Sequence, residues 1–408
     1  MKKLVLLILI LFLTAISSFN GKLFSQNSFN MTPPMGWEPW NIDHCGGLYQ
    51  WDEAYYKKLA DFFVYSGLRD LGYKYLTIEC GSHYRDNNGV WQPDSVKFPN
   101  GFEPVIKYIH ENGLMVRAYG DAGRTVCCCN QMGSYSYYYE DAQRWVDLGF
   151  DGVKIDWCGG DKQNLDPKTQ YLEIKRAIDK TGKKDFNIEI CCWGLGNPWL
   201  WGRNAGHIWR ASGDIDGELI NGKWIYTPGG SWGALMRNID SNRHPESEYV
   251  GPGNGWNYAD MLIVGVPGGL TAMEERTQFS MWAIMASPLF LGNDVFNMSD
   301  STRNTIMNKE IIAIDQDKSG IQGEVVKEFN NGQLQIWSKP LTDGSVAVAL
   351  FNRSEKDYEI TVNFADIKMA AKSKVRDIWN NKDYKNVKDK YTSKVKAHEA
   401  VILKISEF

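Results

Sequence analysis

Gly149-Phe150-Asp151-Gly152-Val153-Lys154-Ile155-Asp156-Trp157-Cys158 reads as a short buried strand, Gly152 to Ile155, with a carboxylate one residue past its apolar run. A carboxylate at the carboxyl end of a strand is where an α/β barrel keeps its chemistry. Fifty-eight residues on, His207-Ile208-Trp209-Arg210-Ala211-Ser212-Gly213-Asp214-Ile215 again runs from a strand-like stretch to an aspartate. Two such carboxylates supply a nucleophile and an acid/base, the minimum equipment for glycoside hydrolysis. Each Asp taken alone reads equally well as the cap of a following helix, so the rest of the chain has to decide.

Outward from that stretch, strand-like and helix-like segments alternate. Strands are expected at 35–37, 73–79, 114–119, 153–156, 186–191, 207–210, 261–264 and 287–291. Amphipathic helices are expected at 52–71, 102–112, 140–148, 168–180 and 274–285, several ending near a glycine (Gly72, Gly113, Gly149, Gly182), the usual helix stop. Eight strands alternating with helices predict an α/β fold, a (β/α)8 TIM barrel. A doubly wound sheet is the alternative, but its Gly-rich phosphate turn after the first strand is missing. After Asp315 the texture changes to short, often alternating strands separated by turns such as Asn330-Asn331-Gly332, which reads as an antiparallel β-sandwich. The expected domains are 1–26 as a signal peptide, 27–315 as the barrel and 316–408 as the sandwich.

The first 26 residues explain the export expectation. Lys2 and Lys3 precede an apolar run from Leu4 to Ile16, and Ser17 and Ser18 follow it. That is a secretory pattern, too short for a comfortable membrane span, so the mature chain is expected in a periplasm or outside the cell, without a membrane anchor. Cleavage would remove Lys2, Lys3 and Lys22 and no acid, moving the formal charge from −4 to −7. An acidic chain without basic tracts argues against nucleic acid as a partner. An exported chain can pair its eight cysteines. They contain no CxxC, and the six histidines contain no HExxH, so no metal is expected. Oligomeric state is not set by the sequence.

On a barrel the polar residues converge. Glu79 ends the second strand, Tyr119 and Asp121 end the third, and Lys154 and Asp156 sit two apart on the fourth, pointing to the same side. Cys192 and Trp193 follow the fifth strand, Arg210 and Asp214 end the sixth, and Asp260 precedes the expected seventh. Lys154 is expected to keep Asp156 ionised, as a nucleophile requires. Most of the 16 tryptophans are expected in the core, with Trp37 as the exception that offers a flat face to a sugar ring.

These residues resemble glycoside hydrolase family 27, the α-galactosidase family. Thr32-Pro33-Pro34-Met35-Gly36-Trp37, with Trp40-Asn41 and Cys45 behind it, is similar to the family's opening. Leu71-Gly72-Tyr73-Lys74-Tyr75, Tyr119-Gly120-Asp121-Ala122-Gly123, Lys154-Ile155-Asp156-Trp157-Cys158, Trp209-Arg210 through Asp214-Ile215, Asn257 through Leu262, and residues 275–289 follow in the family's order, spanning 32–295. The resemblance implies a retaining exo-glycosidase acting on a carbohydrate, with Asp156 as nucleophile and Asp214 as acid/base. Its ring-binding positions fall on Trp37, Glu79, Tyr119, Asp121, Lys154, Arg210 and Asp260, and no metal or organic cofactor is implied.

The departures bear on the sugar. Where the family has two successive Asp, this chain has Glu79-Cys80, and the family's next Cys falls on Gly81, leaving Cys80 as the candidate partner of Cys45. Where α-galactosidases have Cys-Glu-Trp, this chain has Cys191-Cys192-Trp193, with a small residue at the position that N-acetylgalactosaminidases also keep small. Tyr258 replaces the first Asp of the family's Asp-Pro-Asp. The expected substrate is a terminal α-D-galactoside. The alternatives are a β-L-arabinopyranoside, an α-N-acetylgalactosaminide or, more remotely, carbohydrate binding without catalysis on the same scaffold.

Overall fold

The computed structural model describes residues 30–44, 51–79, 81–128, 131–220, 223–227, 229–243 and 249–407. The signal-like segment and Cys45, Cys80 and Cys129 lie outside them.

Eight parallel strands form the first layer: β1 (Met35–Trp37), β2 (Tyr75–Thr77), β3 (Met115–Asp121), β4 (Gly152–Asp156), β5 (Asn187–Ile190), β6 (Ile208–Arg210), β7 (Trp256–Tyr258) and β8 (Leu289–Leu291). They pair in the order β7-β6-β5-β4-β3-β2-β1-β8. The ring closes where Leu262, beyond β7, bridges in parallel to Leu291 of β8. This is the expected (β/α)8 barrel.

Around it lie α1 (Glu53–Tyr65), α2 (Glu103–Glu111), α3 (Tyr138–Leu148), α4 (Pro167–Lys180), α5 (Trp232–Ser241) and α6 (Ala272–Ile284). Their starts are written locally. Asp52 accepts from the Tyr55 amide, Asp166 from the Thr169 amide with Pro167 behind it, and Thr271 and Glu274 form a reciprocal capping box. Neither catalytic candidate is a cap of this kind. Asp156 closes β4, and the cap of the short helix Cys158–Lys162 is Trp157. Asp214 leads into an extended hairpin, Gly217–Ile220 with Lys223–Tyr226.

The seventh strand stands earlier than the apolar run 261–264 indicates. Trp256, Asn257 and Tyr258 pair with Ile208, Trp209 and Arg210. The polar Asn257 disguises the strand, yet it is satisfied there: its side chain accepts from Trp209 Nε1 at 2.6 Å and donates to Gln322 at 3.0 Å. The run 261–264 is apolar because it is buried next to the closing seam, where Leu262 meets β8 and the Ile263 amide meets Gln278 of α6. Asp260 therefore follows its strand and joins the carboxyl rim.

The second unit is antiparallel: β9 (Glu324–Phe329), β10 (Leu334–Pro340), β11 (Val346–Asn352), β12 (Tyr358–Asn363), β13 (Lys372–Asp377), β14 (Lys382–Lys388), β15 (Lys390–Val395) and β16 (Ala400–Glu407). One sheet runs β9-β10-β11-β16-β13-β14, and β12 pairs with β15. Ile336, Val348, Leu350, Ile360, Val362 and Leu403 share the core between them. Helix α6 is buried along most of its length because it packs between barrel and sandwich. Its polar groups are met from the sandwich side: Trp379 Nε1 donates to Ser280, and Lys339 Nζ to the Ala283 carbonyl, both at 2.9 Å.

Candidate active site

A cavity of about 400 Å³ opens at the carboxyl ends of the barrel strands. Asp156 and Asp214 both line it, with Lys154, Trp193 and Arg210 of the expected residues.

Asp156 is held at the end of β4 by two donors. The Tyr119 hydroxyl reaches Oδ2 at 3.0 Å and the Trp157 amide reaches Oδ1 at 2.9 Å. Burial pushes its carboxyl up to about 7; Lys154 opposes the rise, and Asp121 and Asp214 add to it. Lys154 acts in the expected direction, favouring the ionised form of Asp156, and burial is the larger effect against it. The Lys154 ammonium bonds to Glu79 at 2.6 Å and lies 3.5 Å from Glu38. Burial works against its charge, but Glu79 foremost outweighs that and raises the Lys154 pKa.

Beneath Lys154 the barrel interior is charged where bulky aliphatics are usual. Buried Arg117 on β3 pairs with Glu38 and, at 2.9 Å, with Glu189 of β5. Sequence reading missed Glu38 and Arg117. The signal was there in Arg117, a guanidinium inside an otherwise buried strand, which has to find a carboxylate.

Arg210, buried at the end of β6, reaches Asp214 Oδ1 at 3.0 Å and Asp260 Oδ2 at 2.8 Å with the same Nη2. Asp260 also accepts from the amides of Ile215 at 2.7 Å and Met261 at 2.8 Å. It thus fixes the segment that carries Asp214. Its backbone φ is +86°, and Trp193 and His44 beside the cavity have φ of +55° and +46°. Left-handed backbone at three non-glycine residues concentrates strain around one site.

Other expected residues stand elsewhere. Trp37 is fully buried, donates from Nε1 to the Asn293 carbonyl at 2.9 Å and packs edge-on against Trp51, away from the cavity lining. Trp40, three residues later at the start of the short helix Trp40–Asp43, lines the cavity instead. Cys192 is buried with its Sγ directed at the Leu195 carbonyl at 3.4 Å, and Cys191 takes the lining position. Asp121 is buried and binds the amides of Gly123 at 2.6 Å and Gly159 at 3.1 Å. A side chain at Gly159 would meet Asp121 Oδ1 at 2.8 Å and the Thr125 carbonyl at 2.3 Å, so that position needs glycine. Cys80 lies outside the described residues. His44 and Tyr226 also line the cavity and were not foreseen, and Met261, Cys127 and Cys158 make up the rest of the lining.

Cys127 and Cys158 form a disulfide that ties the loop after β3 to the loop after β4. With Asp121 they make the one group of three metal-ligand types among the described residues. Their sulfurs are spent on each other, and Asp121 is spent on amides, so the donor set does not fit a thiolate metal site. Cys191 and Cys192 are reduced and buried.

Residues 32–317 match the family model of alpha galactosidase A, and residues 331–405 match the alpha galactosidase C-terminal beta sandwich domain. The chain belongs to glycoside hydrolase family 27. It is similar to alpha-galactosidase A of Cellvibrio japonicus, 39% identical over 392 residues that cover 92% of each chain. Among solved structures it is similar to alpha-galactosidase I of Mortierella vinacea, with a TM-score of 0.82, 29% identity, and coverage of 94% of this chain and 99% of that one. A family 27 β-L-arabinopyranosidase of Geobacillus stearothermophilus shares the fold, with a TM-score of 0.78 at 21% identity over 94% of this chain and 98% of that one. As a family 27 glycoside hydrolase the chain acts on a carbohydrate. No helix among its described residues is long and apolar enough to cross a membrane.

Proposed function

We propose that the protein removes a terminal α-D-galactose from glycans by double displacement with retention. Ionised Asp156 attacks the anomeric carbon and forms a glycosyl-enzyme. Asp214, in its acid form, protonates the leaving oxygen; in its base form it then takes a proton from the water that attacks the intermediate. The observation that carries this reading is that two aspartates, one closing β4 and one in the segment after β6, face one cavity with different supports. Asp156 is buried beneath tyrosine and amide donors, and Asp214 is half-buried against a guanidinium.

A second sugar is favoured by one contact. The Glu79 carboxylate is committed to Lys154 at 2.6 Å. A carboxylate so engaged is less free to accept from ring hydroxyls, so the contacts of Glu79 to the sugar are where a difference is expected. A β-L-arabinopyranoside keeps the ring stereochemistry of galactose and lacks the 6-hydroxymethyl. The signal-like first residues support export, which N-terminal sequencing of protein recovered outside the cytoplasm would test.

The test is kcat/KM on nitrophenyl α-galactoside, α-N-acetylgalactosaminide and β-L-arabinopyranoside. An α-galactoside preference above about 100-fold, or roughly 2.7 kcal/mol, supports the first reading. A reversed preference supports the second. Absence of release from all three would leave only carbohydrate binding.

A further inference from the structure

Among its described residues, the hairpin between β6 and α5 brings Tyr226 to the cavity. Tyr226 is 48% exposed, unusual for a large aromatic among the described residues, which bury most of theirs. Its hydroxyl lies 3.4 Å from Asp214 Oδ2. The ring stands beside His44, with centroids 5.7 Å apart, and His44 stands beside Trp40 at 5.1 Å. His44 is itself fixed, with Nε2 2.7 Å from Oδ2 of buried Asp216, which Asn41 holds at 2.9 Å. Three rings from two loops therefore make one anchored wall on the Asp214 side of the cavity, and the displacement chemistry above uses none of them.

Two consequences follow from the chemistry of these groups. The two oxygens of Asp214 are not equivalent. Oδ1 faces the Arg210 guanidinium, which only donates, so a proton on Asp214 belongs on Oδ2. The neighbour of Oδ2 is a hydroxyl, which can accept from the acid and donate to the carboxylate. Tyr226 can thus serve Asp214 in both of its forms. The second consequence concerns the ring face. An exposed aromatic beside the oxygen that protonates a leaving group is a surface for the apolar face of the departing sugar.

We infer that Trp40, His44 and Tyr226 form a leaving-group subsite for a pyranose ring, in which the Tyr226 ring stacks on the departing sugar and its hydroxyl positions Asp214. The inference rests on the reading of Asp214 as acid/base. As the glycosidic bond breaks, its electron pair stays on the departing oxygen, which takes the proton from Asp214 Oδ2. In the free enzyme the Tyr226 hydroxyl accepts from that proton; with substrate bound the glycosidic oxygen takes it, and the hydroxyl turns to donate to the carboxylate left behind, keeping its own proton.

The test uses the full chain and two substrates of one preferred sugar, a glycosyl fluoride and a disaccharide. Fluoride places no ring in the subsite and asks little of a proton donor. For Tyr226→Ala the loss in kcat/KM on the disaccharide should exceed the loss on the fluoride by roughly tenfold or more. For Tyr226→Phe, which keeps the ring, the excess should be smaller and lie in kcat, with KM on the disaccharide retained. Equal losses on both substrates would overturn the subsite, because a merely structural role does not read the leaving group. An unaltered disaccharide kcat/KM in Tyr226→Ala would overturn it as well. Asp214→Ala measured alongside separates the two readings, since wild-type disaccharide turnover in that variant would overturn the role of Asp214 itself.

Discussion

Arg210 holds Asp214 through a single nitrogen, Nη2 to Oδ1 at 3.0 Å, from a side chain that is almost wholly buried. That nitrogen also holds Asp260 at 2.8 Å. One buried cation therefore sets the position of the proposed acid/base and of the carboxylate that pins its backbone. Arg210→Met leaves Asp260 buried without its cation and is expected to cost about 3–5 kcal/mol in denaturant unfolding. Arg210→Lys keeps the charge but not the fork. It should unfold closer to wild type and still lose activity. A Lys variant with full activity would show that the guanidinium geometry is not needed.

The second prediction concerns pH. Burial raises the Asp156 carboxyl to about 7, and the attacking form is ionised, so kcat/KM should fall below about pH 7 rather than near pH 4. Stability runs the other way. A carboxyl whose folded pKa is raised contributes stability that is full below its unfolded value and is lost as pH rises through the folded one. Asp156→Asn should therefore gain stability over wild type at pH 8 and gain little at pH 4. An acid limb near pH 4 would contradict both statements.

Asp214→Ala should lose about 10²- to 10⁴-fold on substrates with poor leaving groups and much less on activated aryl glycosides, because a good leaving group needs less protonation. Equal losses across leaving groups would remove Asp214 from the acid role.

The Cys127–Cys158 bridge closes a sequence separation of 31 residues across two catalytic loops. Replacing both cysteines by serine should cost about 3 kcal/mol of stability. Reductant should lower the unfolding temperature, whereas a chelator should leave activity intact, since the sulfurs near Asp121 are already bonded. Activity lost to a chelator and restored by zinc would contradict this.

The barrel was legible because its strands are short apolar runs between amphipathic helices with local stop and start signals. β7 was misplaced because Asn257 interrupts its apolar pattern, and only the partners Trp209 and Gln322, distant in sequence, satisfy that side chain. β14 and β15 carry a weak strand signal, because lysines surround their half-buried residues Tyr384, Val387 and Tyr391. At the site, strand-end carboxylates could be read from position. Trp40 and Trp37 could not be told apart, because the chain passes from the end of β1 into a short helix between them, and the pattern does not show which indole turns to the core. His44 closes the short helix after β1 and Tyr226 sits on the hairpin after β6, and no periodicity encodes that the two meet at the cavity.

The central claim is that Asp156 is the covalent nucleophile. It is tested most directly by incubating the protein with a slow fluoro-sugar substrate of the preferred sugar and mapping the adduct by peptide mass spectrometry. The account predicts one glycosyl group on the peptide that carries Asp156, attached at that residue and absent in Asp156→Ala. A stable adduct on any other residue, or the same adduct in Asp156→Ala, would contradict it.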